Sequence, residues 1–354
     1  MRTVDFIYKL VRSGGEMGYL YPAAGSASTI RMSDSSEIKM SLQGVFSPQA
    51  LDVDGQPIEP NWLTDEIQPA LVIDGASSPL GVYMPATVTP SETGGVEVLS
   101  IEAYDRCWRV RDTYSETPVF FAAGTRYLDA VQQLLTAAGI GLAIKTASTA
   151  VLAEDRQDWP AGTSYLKIVN QLLGEINYNP LWFDARGAAI LEPASIPTAA
   201  NIEHTLDASN VESLLLPQIS RETDVFQAPN VFLVICSNAD KNGPLVARSE
   251  NTNPQSPLSI SRRGRRIMSV TRVNNIADQA ELQAYADRIR NESMLTGETI
   301  RVSTALLPGY GVADVTAIHY GELSAVCVER GWTMQLAPGG TMTHELERVV
   351  ASIG

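Results

Sequence analysis

Period-two alternation of apolar and polar residues dominates both ends of the chain. In EIKMSLQGVF, Ile38, Met40, Leu42 and Phe46 fall on one side, and Glu37, Lys39, Ser41 and Gln43 on the other. That spacing predicts an antiparallel strand with one wet face. Asp54-Gly55 and Asp74-Gly75 are turn dipeptides suited to close hairpins. VEVLSIEAY alternates, slips once at Val98-Leu99 and alternates again, which predicts a bulge there and a bent strand. Bent strands joined by turns favour a barrel or sandwich.

The period changes after residue 114. GTRYLDAVQQLL (Gly124–Leu135) and GTSYLKIVNQLL (Gly162–Leu173) share eight of twelve residues and begin 38 positions apart. Leu128, Val131, Leu134, Leu135 and Ala138 form one helical stripe; Leu166, Val169, Leu172, Leu173 and Ile176 repeat it, and Tyr127 and Tyr165 lie beside the stripes. Thr125 and Thr163 are placed to cap the two helices, and Gly139 to end the first. A solenoid needs at least three stacked units, and the shared residues include no reactive group, so the pair reads as two amphipathic helices on a common core. PLWFDARGAAILEP follows as a hairpin turning at Ala185–Gly187, with Trp182, Phe183, Ile190 and Leu191 available for burial.

Beyond residue 200 the pattern is again mainly β. PNVFLVICS is a nearly continuous apolar run, fit for a strand covered on both faces, and Asn242-Gly243 can turn it into PLVARS. SENTNPQSPLSISRRGRRI reads as a long polar loop. Asp278 and Glu281 make a capping-box pattern before a stripe of Leu282, Tyr285, Ala286 and Ile289, and Gly297 ends that helix. TIRVSTALL sets Ile300, Val302, Thr304 and Leu306 on one side of a strand, LPGYGVAD is a turn, and Gly339-Gly340 turns the last strands. The fold class is therefore mainly β with an α/β insert. A β-barrel unit spans 1–114, and a small α/β unit with two helices and a hairpin spans 115–200. A second β-barrel unit, with a long loop and an inserted helix over 278–295, spans 201–354.

Composition narrows the chemistry. The net charge of −14 disfavours sustained nucleic-acid binding, which needs a basic footprint. Cys107, Cys236 and Cys327 are too scattered for a metal site and odd in number, so they read as buried free thiols. The N-terminal stretch is interrupted by Arg2, Asp5, Lys9 and Arg12, which leaves no signal-peptide core, and no run is long enough to cross a bilayer. His204, His319 and His344 have no zinc-ligand spacing, and neither GxSxG, Walker A nor GxGxxG occurs. Asp65-Glu66 and Glu154-Asp155 read as solvated pairs. The one basic cluster, Arg262–Arg266, reads as a solvated loop, with contact to an acidic neighbouring chain as an alternative and nucleic-acid contact as a lesser one.

Three segments resemble the phage tail hub family, which includes baseplate hubs, late-control D proteins and the hub part of VgrG spike proteins. The first joins EIKMSLQGVF, EIQPALVIDGASSPLGVYMPATVTP and VEVLSIEAYDRCWRV, with Asp74, Gly75, Pro79–Gly81 and Asp105 at the family's turn and strand positions. The second is SYLKIVNQLLGEINYNPLWFDARGAAILEP, similar to the family's middle helix–hairpin. The third combines PNVFLVI, ADQAELQAYADRIRNES and TALLPGYGVADVTAI, with Leu307–Gly309 and Asp314 at its turn. The resemblance implies two tail-tube-like barrels flanking the α/β unit, in a homotrimer whose six barrels ring a central channel. The implied partners are a tail tube or distal tail ring, a central spike or tip protein, a tape-measure protein, and DNA that passes without stable binding. The implied location is the virion tail tip or baseplate, after synthesis in the bacterial cytoplasm. The lysozyme, peptidase and spike segments fused in some relatives are absent here. No catalytic, cofactor-binding or metal-ligating residue is therefore assigned, and no cofactor. The competing readings are a receptor- or carbohydrate-binding β protein, which would expose aromatic clusters, and a cell-wall hydrolase. Trp62, Trp108, Trp159, Trp182 and Trp332 lie mostly within apolar patterns.

Overall fold

The structure, a computed structural model, describes residues 3–93, 95–194, 197–210, 214–223, 229–236, 245–273, 276 and 279–349. The first ten strands are β1 (Val4–Arg12), β2 (Gly15–Leu20), β3 (Ser28–Ser33), β4 (Met40–Phe46), β5 (Ala50–Asp52), β6 (Pro57–Ile58), β7 (Glu66–Ile73), β8 (Ala76–Pro79), β9 (Met84–Thr93) and β10 (Val96–Tyr104). Six of them form one sheet in the order β6-β5-β2-β1-β7-β8. The turn at Asp74-Gly75 closes β7 onto β8, with both residues at positive φ (49° and 85°), the conformation such a two-residue hairpin requires. Gly55, at φ 79°, lies in the turn between β5 and β6. The bulge in β10 lies at Glu102/Ala103, opposite β9, and not at Val98-Leu99. Lys39, expected on the wet face, is buried before β4 starts, and its ammonium donates to the Asp34 carbonyl.

Asp105 ends the first β unit. Its carboxylate accepts the amides of Met40 (2.7 Å) and Cys107 (2.8 Å), so it ties β4 to the helix that follows β10. Burial pushes this carboxyl up to about 6. A raised acid contributes stability below its unfolded pKa and loses it as pH rises through the folded one. The wild-type chain is therefore expected to lose about 2–3 kcal/mol from this group between pH 4 and 7. In Asp105→Asn that slope disappears, at a cost of about 1–3 kcal/mol because the amide NH2 faces a backbone N–H. Urea unfolding across this pH range reads both effects.

The middle unit contains α1 (Cys107–Asp112), β11 (Val119–Phe121), α2 (Tyr127–Ala137), β12 (Ile144–Lys145), β13 (Arg156–Trp159), α3 (Tyr165–Glu175), β14 (Trp182–Phe183) and β15 (Ala189–Leu191). The two repeat helices share one core, in which Leu128, Val131 and Leu135 meet Leu166, Val169 and Leu173. Their likeness extends past the helices. Gly124 and Gly162 both turn at positive φ (81° and 83°), as only glycine does freely. Gly124 N donates to Leu152 O, Leu152 N to Thr125 O and Tyr127 N to Ala150 O. The second copy repeats this set with Gly162 to Ser115, Ser115 to Thr163 and Tyr165 to Thr113. Each helix is thus clamped by the segment that leads into the other, and β11 pairs antiparallel with β13 between them. Both helices close alike, through Ile140 N to Leu135 O and Tyr178 N to Leu173 O, with Gly139 and Asn177 at positive φ. Neither threonine caps its helix. Arg126 and Ser164 occupy the cap positions without a side-chain cap, because the helices start two residues after the threonines.

The third part contains β16 (His204–Asp207), β17 (Leu215–Thr223), β18 (Val231–Cys236), β19 (Leu245–Glu250), α4 (Ile260–Arg263), β20 (Met268–Val273), α5 (Gln279–Met294), β21 (Leu295–Ala305), β22 (Val315–Tyr320), β23 (Leu323–Leu336) and β24 (Thr341–Val349). The helix expected over 278–295 is α5; Asp278 and the Asn242-Gly243 turn lie outside the described residues. Gly297 does not end α5, since β21 follows it directly at Leu295. β18, flanked by β19 and parallel β20, forms a three-stranded sheet with α5 on one face, where Val234, Cys236 and Ala247 meet Leu282 and Ala286. The polar stretch before β20 is not a simple solvated loop. Asn230, Asn251, Ser256 and Ser259 are buried within and beside it, and Asn230 accepts Ile267 N and donates to Arg265 O.

A ten-stranded sheet, in the order β17-β21-β24-β23-β3-β4-β10-β9 with β16 and β22 alongside, runs through both β units. The link is β23 against β3, which pairs Gly331–Leu336 with Ser28–Ser33. Ile30, Met32, Leu42, Trp332, Met334 and Met342 bury one face of this sheet against Tyr8, Leu10 and Leu20 of the six-stranded sheet. The whole is mainly β, with a few helices.

Candidate functional site

One piece of each segment singled out in the sequence comes together here: the Pro79–Gly81 stretch, the β14–β15 hairpin and the 307–314 turn. Gly81, at φ 119°, has the Tyr83 ring where a Cβ would lie, at 2.7–2.8 Å, so only glycine fits. Its amide donates to Ala185 O (2.9 Å) and so joins the first β unit to the β14–β15 hairpin. Gly187, at φ 78°, turns that hairpin under Val82, whose Cγ2 is 2.7 Å from the missing Cβ. Arg106 spans the same contact, from Nε to Glu66 (2.9 Å) and from Nη1 to Gly187 O (2.7 Å).

The 307–314 turn approaches from the second β unit. Asp314 accepts the Gly311 amide (2.6 Å) and pairs with His204 Nε2 (2.9 Å). Tyr310 stacks on His204 with ring centroids 3.8 Å apart, and its other neighbour is His344 at 4.7 Å. Burial pushes the Tyr310 hydroxyl above its ordinary value, and burial likewise raises Glu203, whose carboxylate accepts Val315 N (3.0 Å). An open groove of about 530 Å³ remains between the loop and the hairpin, lined by Trp182, Arg186, Glu203, His204, Tyr310 and Asp314 among others. Behind it, fully buried His344 links Glu329 (2.9 Å, from Nδ1) to Thr304 (3.1 Å, from Nε2). These side chains hold backbone amides or one another. The arrangement ties the Pro79–Gly81 stretch to the β14–β15 hairpin and holds the 307–314 turn on His204.

Two scattered histidines therefore meet around Tyr310, which the sequence reading did not single out, while His319 pairs with Ser324 near the surface. The expectation that Asp65 and Glu66 are solvated is corrected. Both are buried, at 3% and 5% exposure, because each has an arginine: Arg12 for Asp65 (2.6 Å) and Arg106 for Glu66. The Arg12 hydrogen bond holds the Asp65 carboxyl below the usual range. Asp155 is exposed and caps the Ala123 amide. All three cysteines are buried free thiols. In the arginine cluster, Arg262 donates to Pro254 O and Arg266 pairs with Glu250 around the short helix α4, which Gly264 ends at φ 64°. Among the described residues no group of three or more His, Cys, Asp or Glu is arranged to hold a metal, and no helix is long and apolar enough to cross a membrane.

No protein-family model matches the chain, and no curated protein matches it. In structure, the chain has the fold of phage and prophage tail proteins. It is similar over 97% of its length to a tail protein from Neisseria meningitidis, of which 96% is covered (TM-score 0.68, 13% identity). The 43 kDa tail protein of prophage MuSo2 from Shewanella oneidensis matches with TM-score 0.67 and 11% identity, over 97% of this chain and 98% of that one. A type VI secretion system component from E. coli, described as structurally similar to T4 bacteriophage tail proteins, matches with TM-score 0.53 and 11% identity, over 97% and 77%.

Proposed function

We propose that this chain is a structural hub of a tail or baseplate in a phage or phage-like particle, made in the bacterial cytoplasm and resident in the virion. Three copies close into a ring that adapts a six-fold tail tube or distal tail ring to a three-fold spike or tip. The tape-measure protein and the DNA pass through its bore. No catalytic step belongs to this reading.

The observation that carries it is the ten-stranded sheet shared by both β units. One face is core; the other is a continuous polar surface of Thr29, Arg31, Gln43, Thr333, Thr343 and their neighbours. Its arginines are largely committed: Arg301 to Glu222 and Glu345, Arg330 to Asp34 and Glu347. Guanidinium groups already paired with carboxylates release few counterions on meeting phosphate, so such a face turned to the axis lets DNA slide. Electron microscopy of the assembled protein, alone or on purified tail tubes, tests the reading. A three-fold ring with an axial hole is expected. Assemblies without a bore overturn it, and a lytic band in a cell-wall zymogram overturns the structural role.

A further inference from the structure

The three-stranded sheet β19-β18-β20 has α5 on one face; on the other, Val231 at one end is fully buried, whereas Leu233 and Ile235 further along β18 are only half-buried. Two rows cross that open face: Arg248–Leu233–Val270 and Val246–Ile235–Arg272. Apolar side chains run through the middle and an arginine stands at each of two opposite corners. Val246 and Val270 are 48% and 45% exposed, and Met268 beside them is 57% exposed. Glu250, in the next row of the same face, pairs with Arg248 and Arg266, so Arg272 and Arg265, both exposed, carry the unpaired part of the basic rim among the described residues. A contiguous apolar patch with a charged rim marks an interaction surface.

Charge selects the occupant. Residues 229–294 carry nine Lys and Arg against six Asp and Glu, whereas the rest of the chain carries 17 against 34. One polypeptide thus holds both halves of a complementary pair, a basic unit and an acidic remainder. Contact between unlike surfaces of identical chains is heterologous, and such contacts close into a ring where the rotation between neighbours closes. We infer that the open face of this sheet docks on the acidic surface of a neighbouring copy and is a ring-closing contact. The inference rests on the ring reading above, and names the surface that makes the ring.

The test uses the full chain with two double variants, Val246→Asp with Val270→Asp and Arg248→Glu with Arg272→Glu. Mass in solution is followed against concentration at low and moderate salt, with near-UV circular dichroism to verify the fold. The wild-type protein is expected to assemble to three copies. Each double variant should weaken assembly at least about tenfold, and the arginine variant should also lose most of the salt dependence. Variants that assemble like the wild type overturn this surface and leave the ring standing. A wild-type chain that forms no ring, even on tail tubes, overturns both. Saturable binding of a DNA duplex that Arg248→Glu with Arg272→Glu abolishes, with assembly intact, reassigns the face to nucleic acid and overturns the inference.

Discussion

Replacing His344 with alanine is expected to destabilise the chain by about 3–5 kcal/mol, because it strips the partner from a fully buried carboxyl. Glu329 and His344 are both at 0% exposure, joined at 2.9 Å. Burial raises the Glu329 carboxyl, and the hydrogen bond from His344 opposes that rise. Without the imidazole, Glu329 must take up a proton or remain an isolated charge, and Thr304 Oγ1 loses its ring partner. The double variant Glu329→Leu with His344→Leu, which removes the whole pair, is expected to recover most of the loss. A double-mutant cycle by urea unfolding separates the two. A single variant as stable as the wild type would show that the pair does not hold the sheet behind the junction. Tyr310 leans on the same imidazole, so near-UV circular dichroism of the alanine variant should change as well.

Arg156→Ala is the second large effect, again about 3–5 kcal/mol, and it falls on the middle unit. The guanidinium is 4% exposed, donates two bonds to Glu175 (2.8 and 3.1 Å) and one to Asp158, and lies 4.9 Å over the Trp159 ring. Glu175 ends α3 and Trp159 ends β13, so one side chain ties the second repeat helix to the strand pair. Lysine retains the charge but not the planar fork, so Arg156→Lys should lose roughly half as much. Thermal unfolding of the three proteins gives the order wild type, lysine, alanine; a lysine variant as stable as the wild type would mean that charge alone matters here.

Much of this was legible before any coordinates. Turn dipeptides located the Asp54-Gly55 and Asp74-Gly75 hairpins because their conformations are nearly reserved for such residues. Helical stripes located α2 and α3, and alternation located β21 with Ile300, Val302 and Thr304 on its buried side. The same alternation, pursued further, places His344 between Met342 and Leu346 on the core face, so its burial was readable. Partnership was not. Alternation marks a strand's faces but names no neighbour, and nothing in STIRMS points to β23. The apolar run and the helical stripe mark β18 and α5, but the polar stretch between β19 and β20 reads as a loop because its residues are buried as hydrogen-bond partners of one another and of Asn230, as with Asn251 and Ser256. Polarity alone reads such a stretch as wet. The acidic pair Asp65-Glu66 misled for the same reason, since Arg12 and Arg106 lie 53 and 40 residues away in sequence.

The seam between β3 and β23 also governs how the protein is made. A ribosome adding about 5–20 residues per second completes Ser28–Ser33 roughly a quarter-minute to a minute before Gly331–Leu336 exists to receive it. During that interval one border of β3 has unsatisfied amides and carbonyls, a template for promiscuous strand addition. Nascent chains stalled or cleaved before residue 331 should therefore aggregate in a way the finished protein does not.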